Sequence, residues 1–257
     1  MSLPAIGQAQ ILAFVLVMAR VGGLFVLAPV FSSRLIPVKV KFLAAGAISL
    51  AMTPIATGGQ AIPDDPVLLA SLITKEAGIG LAFALAVGVV MAAVQAGASL
   101  LDTVVGFSFG AIVDPVTGVQ SAPLAQLYSI FAAMVFLLAG GDRVMIGGLA
   151  KSYEMVPLGE LPSAGALAAM ATSGLMSVMV IALQIVAPVL IAMLVADAAF
   201  GLVARAVPQM NVFVVGLPAK IFLAFVLIAA TLPFVSRELQ DELAQAVTDG
   251  LAALGGG

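Results

Sequence analysis

Four charged residues stand inside or against long apolar runs and bound the chemistry of this 257-residue sequence: Arg20, Asp102, Asp114 and Asp197. A charge at the centre of a spanning helix costs about 2.5–3.5 kcal/mol on insertion scales, so Arg20, near the middle of the run Ile11 to Phe31, is expected to face protein or water. The simplest reading is a buried ion pair with Asp102, Asp114 or Asp197. The alternative, a proton or ion relay, needs several such carboxylates on facing helices. Arg20 and Asp197 are therefore read as buried charges, and Asp102 and Asp197, each closing a long run, suit helix ends better than a transport site. Cysteine and histidine are both absent, which removes disulfides, thiolate or imidazole metal sites, and Ser-His or Cys-His nucleophile pairs. The three aspartates have no companion nucleophile or ligand set at a recognisable spacing. No catalytic residue, metal or cofactor is expected.

Two further segments carry distinctive residues. Gly106-Phe107-Ser108-Phe109-Gly110, followed by Ala-Ile-Val113-Asp114-Pro115, is apolar yet broken by Gly and Asp-Pro. Irregular backbone at membrane depth is tolerated only within protein or along a cavity. Two Phe side chains on such a loop can form a hydrophobic constriction; a GxxxG-like helix contact explains the same residues equally well. The second segment runs from Arg205 through Pro208, Gln209, Asn211, Phe213, Gly216 and Pro218 to Lys220. Pro208 and Pro218 limit helix continuation, Gln209 and Asn211 satisfy freed backbone groups, and Lys220 marks a boundary before Ile221. A helical hairpin turn results. The 12 methionines, among them Met170, Met176, Met179, Met193 and Met210, serve either as core filler or as a deformable seal.

The elements that must hold these residues are helices. Hydrophobic residues make up 63% of the chain and charged residues 9%, against about 45–50% and 25% in soluble domains. A water-soluble surface cannot be built from that. About 20 residues at 1.5 Å rise cross a hydrocarbon core, and the charge-free runs Ala77 to Leu101, Pro115 to Gly141 and Leu161 to Ala196 qualify. Ile11 to Phe31 is a fourth candidate. Phe42 to Ala56 and Ile221 to Val235 give only about 22 Å each and read as ragged helices or as halves of hairpins packed on protein. Loops are expected at Thr57 to Pro66, Thr103 to Pro123 and Met155 to Ser163, where Gly, Pro, Asp and Ser cluster.

The tail, Ser236 to Gly257, places Leu239, Leu243, Val247, Leu251 and Leu254 on one face, as an amphipathic helix at an interface or on a partner does. Met1 to Gln10 has no basic residue, so the first apolar run reads as a retained membrane helix and not as a signal peptide. Alternating six segments puts five basic residues on one side and four on the other, no usable orientation bias. A net charge of −3 argues against a nucleic-acid partner.

Three groups of residues resemble the FliR family of flagellar export-gate proteins. They are Ala19-Arg20-Val-Gly-Gly with Ala28-Pro29-Val30-Phe31 and Arg34-Leu-Ile-Pro37; Gly106-Phe-Ser-Phe109 with Val113-Asp114-Pro115; and Pro208-Gln-Met-Asn211-Val-Phe213 with Gly216-Leu-Pro218 and Lys220. The resemblance runs along nearly the whole chain. It implies an all-α, membrane-associated protein of about six hydrophobic helices or helical hairpins, with a FliP-like portion over 1–186, a FliQ-like hairpin over 187–235 and the tail over 236–257. It further implies one copy in the bacterial inner membrane at the flagellar basal body. There it joins FliP-like and FliQ-like subunits, and an FlhB-like subunit, in a closed assembly that unfolded export substrates traverse. The Gly/Phe loop, about 103–123, is then the channel plug, with Phe107 and Phe109 in that role and Val113 and Asp114 shaping it. Gly216, Pro218 and Lys220 look more flagellar than virulence-type. A secondary transporter, the competing class, should show internal repeats around charged midplane residues, and the sequence has neither.

Overall fold

The computed structural model describes residues 8–33, 36–57, 65–108, 122–160, 164–209 and 211–254. These form seven helices: α1 (Gln8–Leu27), α2 (Val38–Ala56), α3 (Pro66–Val105), α4 (Pro123–Leu138), α5 (Gly141–Met155), α6 (Ala164–Ala206) and α7 (Val212–Leu254). No strand occurs among the described residues, and the all-α reading holds. By length and composition α1, α2, α3, α6 and α7 can each cross a membrane, and α4 with α5 counts as a sixth, bent span.

Local chemistry sets several of these boundaries. Asp65 Oδ1 accepts the amides of Val67 and Leu68 at 2.8 and 3.1 Å, and Pro66 opens the first turn, so α3 starts ten residues before Glu76. Pro123 likewise opens α4. Gly140, at φ 73°, separates α4 from α5. Asn211 caps α7 through Oδ1, which accepts the Val214 amide at 3.3 Å.

Several expectations about segment ends are corrected. Glu76 and Asp102 lie inside the 40-residue α3 and do not bound it. A charge ends a hydropathy run, yet it does not end a helix if a partner awaits it. The segment Phe42 to Ala56 is the larger part of a 19-residue helix that also takes in Lys39 and Lys41. Helix α5 has no counterpart among the apolar runs of the sequence. Its buried residues Met145, Gly148, Leu149, Ser152 and Tyr153 follow the 3, 4, 7 and 8 spacing of an amphipathic stripe, diluted by polar neighbours. Helix α6 runs through Pro188, and α7 runs through Pro218 and Pro233.

The packing divides the chain into two compact units. The first comprises Met1–Val89, Gly140–Leu175 and Leu243–Gly257. Its core gathers Leu16, Val17 and Leu24 of α1, Ile79 and Phe83 of α3, and Met145 and Leu149 of α5. The C-terminal end of α7 joins this core: Leu243, Val247 and Leu254 are buried, and Val247 packs with Phe83 around Gly148. Leu239, Leu243, Val247 and Leu254 of the tail's apolar face are thus buried on its own chain. After α1 the chain turns sharply at Ala28-Pro29-Val30-Phe31. The Phe31 amide donates to the Pro29 carbonyl at 2.7 Å and Val30 takes φ 65°, a γ-turn that is strained for a β-branched residue. The ring of Phe31 sits 5.1 Å from that of Phe25, a packing contact that helps hold the turn.

The second unit comprises Val90–Ala139 and Met176–Glu242. Val94, Ala98 and Leu101 of α3, Leu124, Tyr128 and Phe136 of α4, Ile185, Val189 and Met193 of α6, and Ala224 and Ile228 of α7 form its core. Helices α3 and α6 meet closely at Gly97, where a Cβ would come within 2.6 Å of the Ala182 carbonyl oxygen.

In the first unit α1 and α3 cross at backbone contact. A Cβ on Gly80 would overlap the Arg20 carbonyl oxygen, and one on Gly23 would overlap that of Ala77, whereas Gly22 and Gly78 face open space. Gly80→Ala is therefore expected to cost about 1–3 kcal/mol, the range for overpacking a filled core. Gly78→Ala should be neutral or slightly stabilising, because alanine favours helix. Thermal melts of the two purified variants give the comparison; equal melting temperatures would remove the steric argument.

Candidate functional site

Arg20 is the centre of the first unit's core. It projects from the middle of α1, one turn before Gly23, and the close α1–α3 crossing brings it onto Glu76, one turn before Gly80. Arg20 Nε donates to Glu76 Oε2 at 2.6 Å, and both side chains are fully buried, at 0% exposure. Nη1 donates to Ser152 Oγ at 3.1 Å and Nη2 to the Val156 carbonyl at 3.0 Å. The second carboxylate oxygen of Glu76 accepts the Gly159 amide at 2.9 Å. Ser152 Oγ donates onward to the Leu149 carbonyl at 2.6 Å, and the guanidinium carbon lies 4.1 Å from the centroid of the Tyr153 ring. The pair is thus hydrogen-bonded on every side, the condition under which buried charges persist.

Glu76 is not one of the three aspartates that the sequence offers Arg20 as partners. Its position at the end of a hydropathy run masks it in the sequence. The usable signal was Glu76 and Gly80 at i, i+4 on α3, opposite Arg20 and Gly23 at i, i+3 on α1. Ser152 and the turn at 156–159 carry no sequence signal of this kind. Chemically the arrangement ties four segments together. Ser152 Oγ gives its proton to the Leu149 carbonyl and accepts from the Arg20 guanidinium.

Asp102 does something different. It is 2% exposed near the end of α3 in the second unit. Oδ1 accepts the Leu124 amide and Oδ2 the Ala125 amide, each at 2.9 Å, so the carboxylate caps α4 and does not face a cation. Its backbone carbonyl accepts the amides of Gly106 and Phe107 at 3.2 and 2.9 Å, closing the C-terminus of α3 with Gly106 at φ 108°, a value open to glycine. Gly106 is buried and Phe107 half-buried. Phe109, Gly110, Val113, Asp114 and Pro115 lie outside the described residues.

At the other turn, Pro208, Gln209 and Asn211 are exposed and Gly216 is buried, while the side chain of Phe213 lies outside the described residues. Pro218 does not limit the helix as expected: the Asn211 cap starts α7 earlier, and Pro218 sits inside it on an exposed side. Lys220 likewise lies within the helix, where Nζ pairs with Asp197 Oδ1 of α6 at 2.6 Å. The side chains are 17% and 43% exposed, so Asp197 is not the buried charge anticipated: its place near the end of the long α6 leaves it outside the core.

Long apolar helices that enclose Arg20, Glu76 and Asp102 in their packing among the described residues define a helical membrane-type protein. The comparisons make this specific. The profile described as Bacterial export proteins, family 1, matches residues 11–246. The flagellar biosynthetic protein FliR of Bacillus subtilis (strain 168) is 33% identical over 221 residues, 84% of this chain and 84% of that protein. FliR of Escherichia coli (strain K12) is 27% identical over 218 residues, 84% and 83% of the two chains. The surface presentation of antigens protein SpaR of Salmonella typhimurium is 27% identical over 204 residues, 79% and 76%. The chain belongs to this family of bacterial export proteins, the FliR family.

The Arg20–Glu76 pair generates a double-mutant test. Arg20→Met or Glu76→Leu alone leaves a buried group without its counter-charge, an effect of about 3–5 kcal/mol. The double change Arg20→Met with Glu76→Leu is expected to recover much of the loss. Denaturation of the three variants measures the coupling, and strictly additive losses would show that the pair does not act as a unit.

Proposed function

We propose that this protein is a core, non-enzymatic subunit of the flagellar type III protein export gate in the bacterial inner membrane. The match to the export-protein family over residues 11–246, with relatives named as flagellar biosynthetic proteins, carries the reading. The wide apolar exposure of α6 and α7, including Met176, Met179, Leu194, Leu202, Phe222 and Val226, supports a chain that is completed by lipid or by apolar neighbours. Those neighbours are FliP-like and FliQ-like subunits, with an FlhB-like subunit beside them, and the cargo is unfolded export substrate. Residues 1–186 act as the FliP-like portion, 187–235 as the FliQ-like hairpin and 236–257 as the tail. The connection from Gly106 plugs the channel through Phe107 and Phe109, shaped by Gly110, Val113, Asp114 and Pro115. The turn from Pro208 through Gln209, Asn211, Phe213, Gly216 and Pro218 to Lys220 meets neighbouring subunits.

A virulence-type role is the second reading, favoured by the SpaR relatives and by the secretion system apparatus protein SsaT of Salmonella typhimurium, 27% identical over 164 residues. Deleting the gene separates the two: loss of motility and of flagellar filaments supports the flagellar role, and retained motility with lost effector secretion supports the other.

Affinity purification in mild detergent followed by native mass measurement should recover a stoichiometric complex with FliP-like and FliQ-like subunits; recovery only as a monomer defeats the proposal. In that complex Phe107→Ala with Phe109→Ala is expected to raise ion leakage while leaving assembly intact. Unchanged conductance removes the plug role.

A further inference from the structure

We propose that Asp102 is the positioning residue that sets where Phe107 leaves α3, by holding both ends of the connection between α3 and α4. The proposal rests on the plug reading for its consequence in transport, but the positioning itself stands on the described residues alone. Near the end of α3 an acidic side chain is electrostatically misplaced, because the C-terminal carbonyls already carry partial negative charge. Nothing within α3 explains it. The explanation is across the connection: the carboxylate takes the first amides of α4, Leu124 to Oδ1 and Ala125 to Oδ2, both at 2.9 Å, where the helix dipole favours an anion.

The same residue's carbonyl takes the Gly106 and Phe107 amides. Three oxygens of one buried residue thus fix the last turn of α3, the exit of Phe107 and the first turn of α4. Thr103 Oγ1 and Ser108 Oγ, 3.3 Å apart, add a weaker tie on the exposed side. Asp102→Asn keeps the shape and loses the function of one oxygen, since its amide group presents a donor to a donor. The start of α4 is then free to shift relative to the end of α3, and Phe107 with it.

The absence of cysteine allows a direct readout through a single introduced thiol in place of the buried Ala125, whose amide Asp102 holds. In the assembled complex, maleimide labelling of Ala125→Cys is expected to be about tenfold faster when Asp102→Asn is added, the scale of losing one buried charge-assisted hydrogen bond. Unchanged labelling in an assembled Asp102→Asn complex overturns the proposal. Hydrogen exchange on the unmutated complex provides a second measurement independent of any variant's folding. First-turn amides of a helix are ordinarily unpaired, so slow exchange at Leu124 and Ala125 supports the clamp and fast exchange at both overturns it. Conductance separates this proposal from the plug reading. Faster labelling with unchanged leakage supports the clamp and counts against the plug, whereas greater leakage with unchanged labelling counts against the clamp.

Discussion

A guanidinium that cannot lose its charge, set in the middle of an apolar helix, must find its partners inside the protein, and much of the first unit follows from that requirement. Arg20 has only its neighbours in the core to bond. Glu76 supplies the counter-charge, but only if α1 and α3 approach until backbone meets backbone, and that approach needs Gly23 and Gly80. The remaining donors draw in α5 through Ser152 and the following turn through the Val156 carbonyl. The turn then returns the Gly159 amide to the second oxygen of Glu76. A pair of this kind adds little net stability compared with a well-packed apolar core, because desolvation offsets most of the attraction. What it does is select: any other arrangement of these segments strands a charge, at several kcal/mol.

The second unit solves a related problem with backbone groups in place of a cation. Helix ends in apolar surroundings leave amides and carbonyls that water cannot reach. Asp102 serves the end of α3 and the beginning of α4 together, and Asn211 serves the start of α7. The Asp102 side chain acts on a different helix from its own, whereas Asn211 caps the turn that it opens. The Asp197–Lys220 pair links α6 to α7 while remaining partly exposed, so it asks less of the surrounding packing than Arg20 does.

For an export-gate protein this division suits the task. Among the described residues, the buried charged groups, which in a transporter would line an ion path, are tied to structure. The wide apolar faces of α6 and α7 are what such a subunit offers to its surroundings.

The sequence by itself determined the all-helical class, the membrane character, the family and the unusual status of Arg20, because each rests on composition, run length or a local motif. It also marked Asn211 as a turn residue, since capping acts over three residues. It did not determine that Glu76 is the partner, that α5 exists as a separate amphipathic helix, or that the tail packs on its own chain. Hydropathy runs end wherever a charge appears, while helices continue through a charge whose partner lies on another element. Whether Glu76, Asp102 or Asp197 sits inside a helix, caps a neighbour or stays partly in the open depends on contacts 22 to 56 residues away in the chain. Only the packed helices bring those residues together, and that is why the tertiary structure alone decided them.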